Sequence, residues 1–366
     1  MAVPLSGAEA RAVHHDTFVF DGHNDLAGPL DRGESLEDRG GRGHLDLRRM
    51  REGGLDGGVF AVFIDPDPGL ADPARRTLDG LRSLRATLEE HPDVRVVLSA
   101  SDAAEVAAAA GAGTDGPIGA LIGVEGGYAI GDDLDAVDEL FELGMRCLTL
   151  TWKTPTRWAD AAGAAAAGAA AHGGLTGFGR RLVDRLQELG VLIDLSHAAD
   201  ATVRDVVERA VRPVVASHSG MRRLAPLPRN LPDDLLEAIA GTGGLVGVSF
   251  FNGHLDADFE ARCVPLRDRE FDDTEELARA VLEEVGTLPL SRLVAHVDHA
   301  ARVAGPGHVA LGSDFDGMWA PPEGLEDCAR LPELSVALAE AGVFDEAGLR
   351  AFLGANWLRV VSAALP

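Results

Sequence analysis

Residues 179–218 open with GRRLVDRLQELGVLIDLSH, residues 179–197, and close with RPVVASH, residues 212–218; their reading decides the fold. In GRRLVDRLQEL the apolar residues recur at spacings of three and four, which predicts a helix with one buried face. After Gly190 the pattern changes to a short apolar run without polar alternation, as in a strand covered on both faces. The second run, RPVVASH, has the same character, and each strand ends in a histidine, His197 and His218. Buried strands separated by helix-period sequence imply parallel βαβ units.

The alternation continues in both directions. TFVFDGHND from Thr17, GGVFAVFI from Gly57, IGALIGVEG from Ile118, MRCLTLTW from Met145, GGLVGVSFF from Gly243 and HVALGSD from His308 complete a set of eight candidate strands. LARAVLEEV from Leu277 has helix period, and another helix is expected to begin near Pro232, with Asp233 and Asp234 against the positive end of its dipole. Eight such units predict an α/β chain folded as a (β/α)8 TIM barrel with loop insertions; an open doubly wound sheet is the structural alternative. No internal repeat or Pro/Ser-rich linker divides the 366 residues, so a single domain spanning 1–366 is expected. The low-complexity stretch ADAAGAAAAGAAAHGG, residues 159–174, reads as a loop or short helix over the barrel mouth, filler rather than function.

Composition narrows the partners. With 46% hydrophobic and 25% charged residues the chain is globular, not disordered. A net charge of -26 would repel phosphate backbones and anionic lipid, so neither nucleic acid nor membrane is expected as a partner. The N-terminal stretch MAVPLSGAEARAVHHD has no apolar run long enough for a signal peptide, and nothing later reaches the length of a membrane span. Cys147, Cys263 and Cys328 are odd in number and far apart, which suits buried thiols in a reducing cytosol, and a cytoplasmic location is expected. A homodimer is left open.

Residues able to bind metal end the strands. His23 and Asp25 close the first, Glu125 the third, His197 the fifth, His218 the sixth and Asp314 the eighth. In a barrel these ends form one rim, so groups distant in sequence converge there on one pocket. The pattern His-x-Asp alone means little, because His14/Asp16, His44/Asp46, His91/Asp93, His254/Asp256 and His296/Asp298 share it and most read as surface turns. His23 and Asp25 differ by following FVF: two positions apart on a strand, they point to one side and can grip one ion. Glu125, after LIGV, is either salt-bridged or a ligand. Ser196, Ser217 and Ser219 lack the G-x-S-x-G elbow of a nucleophile.

The segments DGHND, GHLDLRRMREGG, GVEGG, GGLTGFGRRLVDRLQELGVLIDLSH, PVVASHS, RNLPDD and ALGSDFDG, in this order, resemble the renal (membrane) dipeptidase family of zinc peptidases, within the amidohydrolase superfamily. The resemblance runs from about Asp21 to Trp357. It implies two zinc ions per chain, one bound by His23 and Asp25, the other by His197 and His218, with Glu125 bridging. It further implies that Asp314 handles the proton and that Arg229 holds the substrate carboxylate. Trp152, in LTLTW, stands where the family has a histidine, so the substrate meets an indole there, which donates one N–H and carries no charge.

The implied activity is hydrolysis of dipeptides by a metal-bridging hydroxide, with D-residues at the C-terminal position an open question. Charge counting supports this ligand set. Two Zn2+ against Asp25, Glu125 and hydroxide leave one positive charge, which ionised Asp314 neutralises. Two rival readings remain: another small amide or lactone as substrate, since fold does not choose chemistry, and a metal-binding barrel without catalysis.

Overall fold

The computed structural model describes residues 5–66, 72–111, 116–271 and 274–366. Its strands are β1 (Phe20–Asn24), β2 (Gly57–Phe63), β3 (Val94–Val96), β4 (Ile118–Glu125), β5 (Met145–Thr149), β6 (Leu192–Asp194), β7 (Val215–Ser219), β8 (Leu245–Val248) and β9 (Val309–Leu311). All pairings are parallel in the order β1-β2-β4-β5-β6-β7-β8-β9, and β3 pairs only with β4, outside this path. The eight expected strands are therefore the barrel staves. The short ninth escaped notice because it has three residues and an exposed arginine, Arg95, at its centre.

The barrel is nearly closed, and its last seam is made by the two acidic motifs. Asn24 bridges Phe315, the Asp25 N–H donates to the Phe315 carbonyl at 2.8 Å, and the Asp314 N–H donates to the His23 carbonyl at 3.0 Å. Closing the fold therefore brings DGHND beside SDFDG. This is the (β/α)8 architecture, and the open sheet is ruled out.

The barrel interior is layered. At the N-terminal end each stave contributes one apolar residue: Phe20, Val59, Leu121, Cys147, Leu192, Val215, Leu245 and Ala310. The helix Asn356–Ala364 plugs this end with Trp357, whose indole N–H donates to the Leu311 carbonyl at 2.8 Å. Burying one such ring stabilises the fold by roughly 3 kcal/mol. Two residues further along the staves the inward positions become small or polar: Thr149, Asp194, Ser217, Gly247 and Gly312. A Cβ on Gly247 or Gly312 would lie 1.9 Å from the Ser217 carbonyl oxygen, so glycine alone admits this close approach.

Local signals hold outside the barrel as well. The helix expected from Gly179 runs Gly177–Leu189, capped by Thr176 and stopped by Gly190 in the left-handed region, at φ 76°. The helix expected near Pro232 is Asp233–Gly241. In the Ala/Gly-rich stretch, Ala162–Ala166 is helical and the following turn wraps Asp160, whose carboxylate accepts the N–H groups of Ala171, His172, Gly173 and Gly174. The three cysteines are buried and unpaired, and no helix among the described residues is long and apolar enough to cross a membrane.

Candidate active site

Five side chains converge at the C-terminal ends of the staves. His23 lies in β1 with Asp25 just beyond it, Glu125 ends β4, His218 lies in β7, and His197 follows β6. Glu125 sits between two groups. Its Oε2 faces His23 Nε2 at 3.8 Å, and its Oε1 faces His197 Nε2 at 3.1 Å and His218 Nε2 at 3.6 Å. His23 Nε2 is 3.6 Å from Asp25 Oδ2, too long for a hydrogen bond, and both His23 Nε2 and Asp25 Oδ1 are buried without a hydrogen-bond partner.

Buried donors and acceptors are normally satisfied, so this arrangement needs a cation. The tautomer of one imidazole follows from its surroundings. Ser217 Oγ donates its only hydrogen to Asp194 Oδ2 at 2.7 Å, so it must accept from His218 Nδ1, 2.8 Å away. The lone pair of His218 is thus on Nε2, which lies 3.0 Å from His197 Nε2. Burial, then Arg229 for His197 and His23 for His218, pushes both pKa values well below the usual range, so both rings are neutral ligands. Burial works the same way on His23, yet the contact with Asp25 and the charges of Glu125, Asp25 and Asp314 outweigh it and raise its pKa to about 10. The site attracts positive charge, and its donor set of imidazoles and carboxylates fits zinc or a similar divalent ion.

Two of these residues sit in strained backbone. His197 and Asp314 have φ of 65° and 67°, a left-handed conformation that non-glycine residues adopt at a cost of about 1–3 kcal/mol. The acids of SDFDG then part company. Burial first and Asp25 second raise the Asp314 pKa to about 7. Asp316 is held at about 2 despite burial, by contacts with His44 and Arg39, the latter at 2.7 Å. The salt-bridged acid of this motif is thus Asp316, and Asp314 makes no ion pair among the described residues.

Arg229 reaches the same pocket, while the nearby Asp233 and Asp234 pair with His299 and Arg204. Its Nη1 donates to Ser219 Oγ at 2.8 Å and its Nη2 to the His218 carbonyl. Its Nε is buried without a partner, so three N–H donors remain for a ligand. Trp152 follows β5: its backbone N–H donates to the Tyr128 hydroxyl at 3.1 Å and its indole packs on Phe63 with centroids 4.6 Å apart.

Three residues at the site were not singled out from the sequence. Asp194 accepts from Thr149, Ser196 and Ser217, which occupies both oxygens and makes it the support of His218 rather than a ligand. An acid inside the apolar run VLIDL was the available signal. Gly317 leaves room for the acids, since a Cβ there would lie 2.1 Å from Asp25 Oδ2 and 2.7 Å from Asp314 Oδ1. His254 stands with its ring 6.5 Å from that of His197, in a helix, Asn252–Leu255, where a surface turn was expected. His14 and His296 correct that expectation too, being fully buried in helices; His91 and Asp93 do form the turn.

Over residues 7–365 the chain matches the model of the membrane dipeptidase family, peptidase family M19. The chain belongs to this family. One solved relative, a dipeptidase described as an M19 metallopeptidase, is 30% identical, with a TM-score of 0.77 over 95% of this chain and 99% of that one. A metallopeptidase from Rhodobacter sphaeroides, liganded with a phosphinate mimic of the dipeptide L-Ala-D-Ala, is 29% identical, with a TM-score of 0.76 over the same shares. The probable dipeptidase PvdM from Pseudomonas aeruginosa, 24% identical, has a TM-score of 0.81 over 98% of each chain and shares the fold. Membership makes this M19 chain a hydrolase and implies a metal cofactor.

Proposed function

We propose that the protein is a zinc-dependent dipeptidase with two metal ions, the whole chain 1–366 acting as one hydrolase unit. The division of Glu125 between His23 on one side and His197 with His218 on the other carries this reading. His23 and Asp25 would hold one ion, His197 and His218 the other, and Glu125 both. When bound, such ions polarise a carbonyl and lower the pKa of water to about 7.

The remaining chemistry belongs to the chain's own side chains. Asp314, with its pKa near neutrality, takes a proton at a carboxylate oxygen as water attacks the amide and returns it to the departing amine. Burial lowers the Arg229 pKa to about 10, against the pull of Asp314, Asp194 and Glu125, so it stays a cation at neutral pH. It fixes the C-terminal carboxylate of the dipeptide and limits length on that side. Trp152 presents an aromatic wall to the substrate. The Rhodobacter relative, bound to a mimic of a dipeptide ending in D-Ala, supports tolerance of a D-residue at that position.

The test is turnover of L-Xaa-L-Xaa and L-Xaa-D-Xaa dipeptides by the zinc-loaded protein beside a chelated control, with metal content measured on the same sample. Metal-dependent cleavage is expected. Two metals per chain with no dipeptide cleaved would overturn the reading in favour of another small amide or lactone. Arg229→Ala is expected to lower kcat/KM about a hundredfold on dipeptides with a free carboxylate and far less on their C-terminal amides. Equal losses on both would count against a carboxylate clamp.

A further inference from the structure

The chain contains one lysine against thirty-two arginines, and that lysine, Lys153, is at the barrel mouth directly after Trp152. Its ammonium lies 4.4 Å from the centre of the Trp152 ring, and it makes no ion pair among the described residues. It lines a pocket of about 450 Å³ with Arg267, Arg269, Phe271 and Trp319. The Arg267 guanidinium lies over the Trp319 ring at 5.0 Å.

This pocket is linked to the metal-ligating residues through a chain of rings. From His197 a continuous aromatic path leads to His254 at 6.5 Å, from there to Phe251 at 4.9 Å, and on to Trp319 at 4.7 Å. Lys153 is close enough to Glu125 and His197 for its charge to be felt by both. Two of the three cations are compensated, Arg267 by Glu260 and Arg269 by Glu284 at 2.6 Å. Lys153 makes no such pair: Glu260, Glu125 and Asp65 act on it only at a distance, so its ammonium is left open to a ligand in a chain whose net charge is -26. Arg229, committed to Ser219 and the His218 carbonyl, is a separate cation on the β7 side of the centre.

We propose that this pocket is a second anion subsite, in which Lys153 with Arg267 binds a side-chain carboxylate of the substrate, making acidic dipeptides the preferred class. The inference rests on the dipeptidase reading of the centre. The Lys153 side chain is exposed and so open to a ligand, and together with Arg267 at the same pocket it can hold a carboxylate by charge-assisted hydrogen bonds. Arg229 takes the carboxylate every dipeptide has, and Lys153 the one that only an aspartyl or glutamyl residue adds.

The experiment compares kcat/KM for Ala-Asp, Asp-Ala and Ala-Ala on the metal-loaded wild type and on Lys153→Gln. Separate arms for the two positions decide which residue of the substrate supplies the carboxylate. Wild type is expected to prefer the acidic dipeptide of one arm over Ala-Ala by about tenfold to a hundredfold, and the variant to lose most of that ratio. A ratio near one in the wild type, or unchanged in the variant, overturns the proposal. Calorimetric titration of free aspartate and free alanine into the metal-loaded protein supplies a second readout. Tighter binding of aspartate that disappears in Lys153→Gln is expected, and equal binding of both overturns the subsite even where no dipeptide is cleaved. Failure of every dipeptide in the kinetic arms counts against the dipeptidase reading alone.

Discussion

Asp314→Asn is expected to retain both metal ions and to lose turnover by about a thousandfold. The substitution keeps the size and one carbonyl oxygen of the side chain, so it can still orient a water, but it cannot carry a proton at neutral pH. The two acids of the SDFDG turn show why the loss should be specific to Asp314. Asp316 is committed to Arg39 and to the His44 loop, and is held ionised at a pKa of about 2. Asp314, two residues earlier and facing Asp25 across the closing seam, is raised to about 7, where gaining and losing a proton are both inexpensive. A carboxylate that only balanced charge would tolerate the amide better. Metal content by elemental analysis and kcat on the same preparation check the prediction: near-normal kcat with both metals bound would remove Asp314 from the proton path.

What the sequence revealed, and what it hid, follows from the periodicity of each element. Buried parallel strands read as apolar runs, so the eight staves were visible, and residues that end such runs had to meet on the rim. That reasoning placed His23, Asp25, Glu125, His197, His218 and Asp314 together before any coordinates. Arg229 needed more, because its loop lies past the end of a stave and only the family resemblance singled it out. Asp194 was hidden for the opposite reason. It ends a stave, where a carboxylate looks like an interruption, and its function depends on Thr149 and Ser217 reaching it from the two neighbouring strands and on Ser196 in the turn just after it. Gly317 was silent because the sequence does not show what a Cβ would strike. His254 and His296 share a pattern with His23 yet sit in helices, where residues two apart face different directions, so the shared wording carries no shared geometry.

Glu125→Gln should reduce bound metal from two ions to one or fewer and bring turnover down by a thousandfold or more. A carboxylate can face two cations because both of its oxygens are acceptors, whereas an amide must turn its NH2 toward one of them. One orientation faces His197 and His218, the other His23, and neither leaves two complete sites. Thermal unfolding then separates a ligand from a structural cross-link. Without metal, Glu125 is a buried acid close to Asp25 and Asp314, whose charges, after burial, raise its pKa to about 8. At neutral pH that side chain is then mostly a neutral acid already, and an amide of the same size replaces it without a change of charge, so metal-free Glu125→Gln should unfold no lower than metal-free wild type. Metal-loaded wild type should exceed both, since an ion that binds only the folded chain stabilises it by mass action. A variant that unfolds below metal-free wild type would mean that Glu125 holds the staves together through its histidine contacts, and that the loss of activity reports a damaged barrel rather than a missing bridge.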